Sequence, residues 1–125
     1  MQRTIQGVAV ISFDTKNSQA YVDALTVIKK PTLMGYEIVG APFHLNNFGA
    51  GHEKQIALDP GVYRVFVEFT AIENKIGGRY SFDYEVNGAS TYPGNGNVDT
   101  SPDPNQVKDD KKDFLLIVLA NGGAQ

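Results

Sequence analysis

The sequence predicts an all-β fold, a single-domain antiparallel β-sandwich of seven or eight strands. The first observation is a central strand that begins after Gly61, ends near Ile72 and alternates strictly between two faces. Its apolar face carries Tyr63, Val65, Val67 and Phe69. The second is Asn87-Gly88, the strongest two-residue signal for a β-hairpin. The third is that turn signals recur at the spacing typical of β-sandwiches, while no segment shows a convincing helical repeat.

The turn before the central strand indicates the type of sandwich. Pro60 presets φ for a tight bend, and Gly61 accepts the positive φ that can follow. With Tyr63, this turn resembles the tyrosine corner of immunoglobulin-like and fibronectin-like sandwiches, where the tyrosine bonds back across the turn. The resemblance covers about six residues and speaks to fold alone. The expected architecture is therefore immunoglobulin/fibronectin-like or jelly-roll-like.

The other elements follow from the same periodicity. A first strand over 5–13 is apolar on both faces, which predicts either burial on both sides or a crossing between sheets. The pattern of residues 20–29 fits either a helix or a strand, and their β-branched content favours a strand. Further strands are expected at 33–39, 54–58, 79–86, 89–92 and 114–120. The last is apolar throughout, which predicts a strand buried on both faces or central in its sheet.

Two long loops complete the predicted fold, at 40–52 and at 93–113, with Gly94-Asn95-Gly96 as a turn in the second. We expect both loops at one end of the sandwich. The predicted core consists of Val10, Leu25, Val27, Ile38, Ile56, Tyr63, Val65, Val67, Phe69, Tyr80, Phe82, Tyr84, Leu116 and Val118.

Composition narrows the classes of function. The chain of 125 residues carries a net charge of −3, and its cations are scattered, so it lacks the basic face of a nucleic-acid binder. It contains no cysteine, which removes disulfides and thiol chemistry. No segment approaches the ~20 apolar residues of a membrane span, and no signal peptide is recognisable at the start. The expected product is soluble, either cytoplasmic or exported without a cleaved signal peptide.

Catalysis is not expected. His44 and His52 are the only histidines, and no third ligand stands at metal-binding spacing beside them. No serine lies in a Gly-x-Ser-x-Gly setting, and no glycine-rich phosphate loop precedes a helix. The sequence therefore favours structural or ligand-contacting roles for both histidines.

The second loop offers oxygen ligands of the kind that Ca²⁺ takes. The candidate metal ligands are Asp99, Asp103, Asp109 and Asp110. Their spacing fits no EF-hand, because the glycine and the terminal glutamate of that motif are missing. Lysines interleave with the aspartates, so the alternative is a solvated loop without a metal.

The best-supported function is a non-catalytic recognition module, most plausibly a lectin-like carbohydrate-binding sandwich. Aromatic rings stack on sugar faces, and amide or carboxylate groups bond hydroxyls; the partner is a glycan or a protein surface. The candidate ligand-binding residues are Phe43, His44, Asn46, Asn47, Phe48, His52, Tyr92, Asn95 and Asn97. The competing interpretation is that Phe43 and Phe48 plug the open end of the sandwich.

The alternative function is a structural or assembly subunit. The first strand and the last strand are apolar on both faces. Such an excess of apolar faces often ends in an oligomer interface, so a homo-oligomer would form through these strands.

Overall fold

Two β-sheets and no helix make up residues 1–16, 18–72, 78–97 and 107–120, which the computed structural model describes. The strands are β1 (Gln2–Gln6), β2 (Ala9–Asp14), β3 (Tyr21–Thr32), β4 (Gly35–Ile38), β5 (Phe43–Asn46), β6 (Glu53–Ile56), β7 (Gly61–Ile72), β8 (Arg79–Val86), β9 (Ala89–Asn97) and β10 (Val107–Leu119). The six-stranded sheet has the order β1-β10-β7-β3-β4, with β5 also paired to β3. The four-stranded sheet has the order β6-β2-β8-β9. The predicted all-β class is confirmed.

Strand pairing is antiparallel throughout, with one exception. The first strand, β1, runs parallel to the last, β10. β10 therefore lies between β1 and β7, inside the sheet rather than at its edge, which agrees with one of the two predicted alternatives for the exit strand. Within the described ranges, no helix has the length and apolar character that a membrane crossing requires.

The first predicted strand, 5–13, is two strands in different sheets. Gly7 adopts a positive φ of 75° and separates β1 from β2. Ile5 belongs to the six-stranded sheet and Ile11 and Phe13 to the four-stranded sheet, and all three side chains are buried in the core. The apolar residues on both faces thus belong to a chain that crosses between the sheets, one of the two predicted arrangements.

The turn before β7 has the geometry of a tyrosine corner. The Tyr63 hydroxyl donates a hydrogen bond to the backbone carbonyl of Asp59 at 2.7 Å. Gly61 has a φ of 156°, within the positive region that the sequence predicts for it. The hairpin at Asn87-Gly88 is also confirmed, since both residues have positive φ (49° and 81°) and join Val86 to Ala89 across a two-residue turn.

The core prediction is confirmed for the central and returning strands and wrong for the earlier ones. Tyr63, Val65, Val67, Phe69, Phe82, Tyr84, Leu116 and Val118 are buried, with Ile56 and Tyr80 packed against them. Val10, Leu25 and Val27 are only half-buried, and Ile38 is 55% exposed. The buried faces of β2 and β3 are the opposite ones, which carry Ala9, Ile11, Phe13, Val22, Ala24, Thr26 and Ile28. β3 carries apolar residues on both faces, so the period of two could not identify its inner face. In β2 the outward face carries Ser12 and Asp14 beside Val10, so the alternation already favoured the opposite face, and the choice of Val10 was wrong.

Two predicted loops contain strand. Residues 43–46 form β5, and much of 93–113 belongs to β9 and β10, including Gly94-Asn95-Gly96, which is extended strand rather than a turn. The described residues form ten strands where the sequence predicted seven or eight, because β5 is added and the first predicted strand is split. Glycine, asparagine, aspartate and lysine have low strand propensity, but pairing with β7 and β8 overrides it.

Tyr84 links the two sheets inside the core. Its hydroxyl lies 2.9 Å from the Thr26 hydroxyl of the other sheet. Burial raises the pKa of Tyr84 well above its ordinary value, and the hydrogen bond to Thr26 offsets only part of that rise. Burial likewise raises the pKa of Tyr63 and Tyr92.

These raised pKa values predict a loss of stability at alkaline pH. Above about pH 10 the unfolded chain ionises its tyrosines, whereas folded Tyr84 keeps its proton. The free energy of unfolding should then fall by up to about 1.4 kcal/mol per pH unit for this residue, and be unaffected by it below pH 10. Urea titrations across this range should show a shallower fall for Tyr84→Phe than for the wild type. Tyr21→Phe, at an exposed position, should keep the wild-type slope, and equal slopes for all three proteins would contradict the prediction.

Parts of the two predicted loops lie at one end of the sandwich, while residues 98–106 of the second predicted loop lie outside the described residues. Tyr21 pairs with Ile72 in the six-stranded sheet, and Arg79 pairs with Asn97 in the four-stranded sheet. Backbone hydrogen bonds join the sheets there, from Gln19 N to the Arg79 carbonyl at 2.7 Å. The 46–53 connection and the end of β9 therefore both lie at this end.

Candidate functional site

A buried carboxylate stands at this end of the six-stranded sheet. Strand register places Asp23 of β3 between Asn46 of β5 and Thr70 of β7. Asp23 is only 8% exposed. His44 Nδ1 lies 2.8 Å from Asp23 Oδ2, and the Asn46 side-chain amide donates to Oδ1 at 2.9 Å. The carboxylate is thus taken out of water and held by two side chains from the neighbouring strand.

His44 is oriented by this contact. A carboxylate only accepts hydrogen bonds, so the imidazole Nδ1 must carry the proton and donate it to Asp23. When the ring is neutral, Nε2 is an acceptor on its far side. Because the His44 side chain is 57% exposed, that edge is available to a ligand.

Asn46 and Asn47 hold the loop that follows β5. The Asn46 side-chain oxygen accepts hydrogen bonds from the backbone amides of Phe48 (3.1 Å) and Ala50 (2.9 Å). The Asn47 side chain hydrogen-bonds the backbone at the start of β3: it accepts from Val22 N and donates to the Ala20 carbonyl, both at 3.0 Å. These amides are occupied by the protein's own backbone, so the two asparagines shape the loop and turn Phe48 outwards.

Phe48 completes an open groove of about 450 Å³. Its ring is 48% exposed and meets the Tyr21 ring edge-on at a centroid distance of 5.4 Å. The groove is lined by Asp23, His44, Asn46, Phe48, Ala50, Thr70 and Ile72. It therefore sets an aromatic ring and apolar side chains opposite a polar wall built on the Asp23–His44 pair.

The other predicted ligand residues lie outside this groove. Phe43 and Tyr92 are partly buried and pack against the core, whereas Phe48 is exposed. His52 Nδ1 lies 3.1 Å from the Phe13 carbonyl, and its ring lines a separate depression beside Glu53. Asn95 is exposed on β9 and lines a third depression, and Asn97 is the last residue of that strand.

Two of the four predicted metal ligands lie in a described strand. Asp99 and Asp103 lie outside the described residues. Asp109 and Asp110 belong to β10 rather than to a loop, and Asp110 lies 3.6 Å from Lys112 Nζ. Across the described ranges, no group of three histidine, aspartate or glutamate side chains is arranged to hold a metal ion.

Sequence reasoning missed Asp23, the residue that organises the groove. Its signal was present, since Asp23 is the single acid in the apolar run Tyr21-Val22-Asp23-Ala24-Leu25. A charged residue inside a strand needs a partner when it is buried. That partner, His44, is 21 residues away, and only the β3–β5 register brings the two together.

Comparisons with known proteins give no assignment. No family model matches the chain, and no curated protein or solved structure is significantly similar to it. The arguments for function rest on the groove and on the surfaces of the two sheets.

Proposed function

We propose that the protein is a non-catalytic recognition module that binds a polyhydroxylated ligand, a sugar ring of a glycan, in the Asp23–His44–Phe48 groove. The observation that carries this proposal is an oriented imidazole beside an exposed aromatic ring. Three of the nine residues suggested by the sequence, His44, Asn46 and Phe48, line this one groove.

The chemistry of the groove suits a sugar. One face of a pyranose ring is apolar and packs against an aromatic side chain such as Phe48, while its hydroxyls seek donors and acceptors. His44 Nε2 accepts from a hydroxyl when the ring is neutral. The volume of about 450 Å³ lies in the range of small-ligand sites and accommodates one or two sugar rings.

Calcium has no part in this proposal. Both oxygens of Asp23 are engaged by His44, and Oδ1 also accepts from Asn46. A hard cation takes six to eight oxygen ligands, roughly, and among the described residues Asp23 is the only carboxylate that lines the groove. The ligand is therefore held by hydrogen bonds and ring packing.

The proposed fold type is immunoglobulin/fibronectin-like rather than jelly-roll-like. β7 carries the tyrosine corner and lies between β3 and β10, as the F strand lies between C and G in immunoglobulin domains. The β8–β9 hairpin is then an addition between F and G that pairs with β2. This assignment puts the groove at one end of the sandwich, where such domains carry binding loops.

The test is binding to a glycan array, followed by calorimetric titration of the best ligand. His44→Ala and Phe48→Ala are each expected to weaken binding about tenfold, a change of about 1.4 kcal/mol. His52→Ala is the matched control, because it removes the other loop histidine from a separate depression, and it should leave the affinity unchanged. Unchanged affinity in both His44→Ala and Phe48→Ala would refute the proposed site.

A further inference from the structure

The outer face of the six-stranded sheet is apolar. We define this outer face by Leu25, Val27, Tyr36, Ile38, Val62, Phe66, Leu115, Ile117 and Leu119, which point away from the core on β3, β4, β7 and β10. Tyr36, Ile38, Val62 and Leu119 are 53%, 55%, 46% and 46% exposed. In the strand register, Lys29, Arg64, Glu68, Lys111 and Asp113 stand between these apolar residues on the same face. The large apolar side chains nevertheless outnumber the charged ones, and an exposed surface rich in them indicates an interaction site.

The outer face of the four-stranded sheet is different. The outward positions of β8 carry Arg79, Ser81, Asp83 and Glu85. The solvent-facing side of this sheet is thus polar, as expected for an antiparallel sheet with one face in water. The contrast between the two sheets indicates that the apolar outer face is normally covered.

The β3–β4 hairpin extends this apolar surface. Every residue from Lys30 to Ile38 is exposed, and β3 pairs only with β4 beyond Lys29. Its turn is formed by Leu33 and Met34, with exposures of 105% and 97%. Turns usually carry glycine, proline, asparagine or aspartate, so two large apolar side chains there are not explained by the fold of one chain.

Most charges on this face have a partner of opposite sign within the chain. Arg64 is paired with Asp113, and Lys111 stands directly opposite Glu68 in the strand register. Lys29 Nζ lies 4.8 Å from the centre of the Phe66 ring, so its charge is not neutralised by an acid there. These five charged residues give the face a net charge of +1, which is too small to select a strongly acidic partner.

We propose that the outer face and the β3–β4 hairpin form a two-fold interface with a second copy of this chain. Four strands at about 4.8 Å and seven residues at about 3.3 Å give a footprint on the order of 400 Å² in projection. This footprint is about half of the roughly 800 Å² per partner of a standard interface, and the exposed β3–β4 hairpin adds to it. Apolar composition and largely matched charge suit a self-complementary contact.

The groove is compatible with this dimer. Asp23 and Thr70 lie on the same outward side of the sheet, but at the end where the 46–53 connection lies, beyond Leu25 and Glu68. Two grooves would therefore stand at the rim of the interface. The dimer does not depend on the glycan proposal, because the two involve different residues.

The test is sedimentation equilibrium of the wild type from about 5 to 500 µM, with variants at exposed positions. Val62→Lys and Ile38→Lys should each weaken dimerisation at least about tenfold, because each change occurs twice in a two-fold interface. Val8→Lys is the matched control: Val8 is 45% exposed, like Val62, but lies in the turn between β1 and β2. It should dimerise like the wild type.

A wild type that remains monomeric at the highest concentration would overturn the proposal and leave the face to a different partner. Dimerisation that survives both lysine variants would also overturn it, since the interface would then lie elsewhere. Thermal melts separate these outcomes from misfolding, because all three positions are exposed and the variants should unfold at similar temperatures. Ligand titration of Val62→Lys should still give wild-type affinity, so failure of either proposal can be recognised separately.

Discussion

Gly94→Ala is expected to lower the free energy of unfolding by about 3 kcal/mol. Gly94 of β9 pairs with Phe82 of β8, and the Phe82 ring lies across the glycine backbone. A Cβ added at Gly94 would stand 2.2 Å from Phe82 Cζ and 2.6 Å from Cε2. The ring has little room to yield, because it stacks on Phe69 at 4.9 Å between centroids.

Chemical denaturation of Gly94→Ala beside Asn95→Ala tests this prediction. Asn95 is the adjacent exposed residue of the same strand, so its replacement should change stability by no more than about 0.5 kcal/mol. In a Phe82→Leu background, Gly94→Ala should cost clearly less, since the obstructing ring is gone. Equal effects of Gly94→Ala in both backgrounds would show that the ring is not the obstacle.

Phe13→Ala is expected to lower the free energy of unfolding by about 4 kcal/mol. Phe13 is fully buried at the end of β2, where its ring lies 5.2 Å from Phe82 and 6.1 Å from Phe69. The deletion leaves a cavity between rings from both sheets, which cannot collapse without moving the stack. Phe13→Leu keeps most of the volume and should cost about 1.5 kcal/mol, which remains measurable if the alanine variant is unfolded.

Phe48→Ala is the control for this second prediction. Phe48 is 48% exposed, so its removal should change the free energy of unfolding by less than about 1 kcal/mol, while it weakens ligand binding. Equilibrium unfolding of both variants measures the difference. A loss for Phe13→Ala no larger than that for Phe48→Ala would contradict the burial of the β2 inner face.

Much of the fold could be predicted from the sequence wherever residues within one strand or turn determine the backbone conformation. The alternation in β7 identified its buried face, and the Tyr63–Asp59 hydrogen bond formed as the turn residues indicated. Asn87-Gly88 gave the hairpin because a two-residue turn of this type requires positive φ at both positions. These features depend on residues within one strand or one turn.

Only part of the candidate site could be predicted from the sequence. The composition of one loop pointed to His44, Asn46 and Phe48, which line the groove. It gave no sign of Asp23, and the Asn47 side chain turned out to hydrogen-bond the protein's own backbone. Composition shows which groups can bind a ligand, while hydrogen-bond partners decide which of them are already engaged. Those partners come from β3, which is remote in sequence.

The sequence by itself determined the all-β class, the tyrosine corner, the hairpin turn and the faces of β7 and β8. Only the tertiary structure decided which face of β3 is buried, that Lys111 and Asp113 lie in a strand, and that Asp23 meets His44. The physical reason is that periodicity and turn chemistry act within a few residues. Strand register and sheet packing join residues tens of positions apart, and where both faces of a strand are apolar, they alone select the inner one.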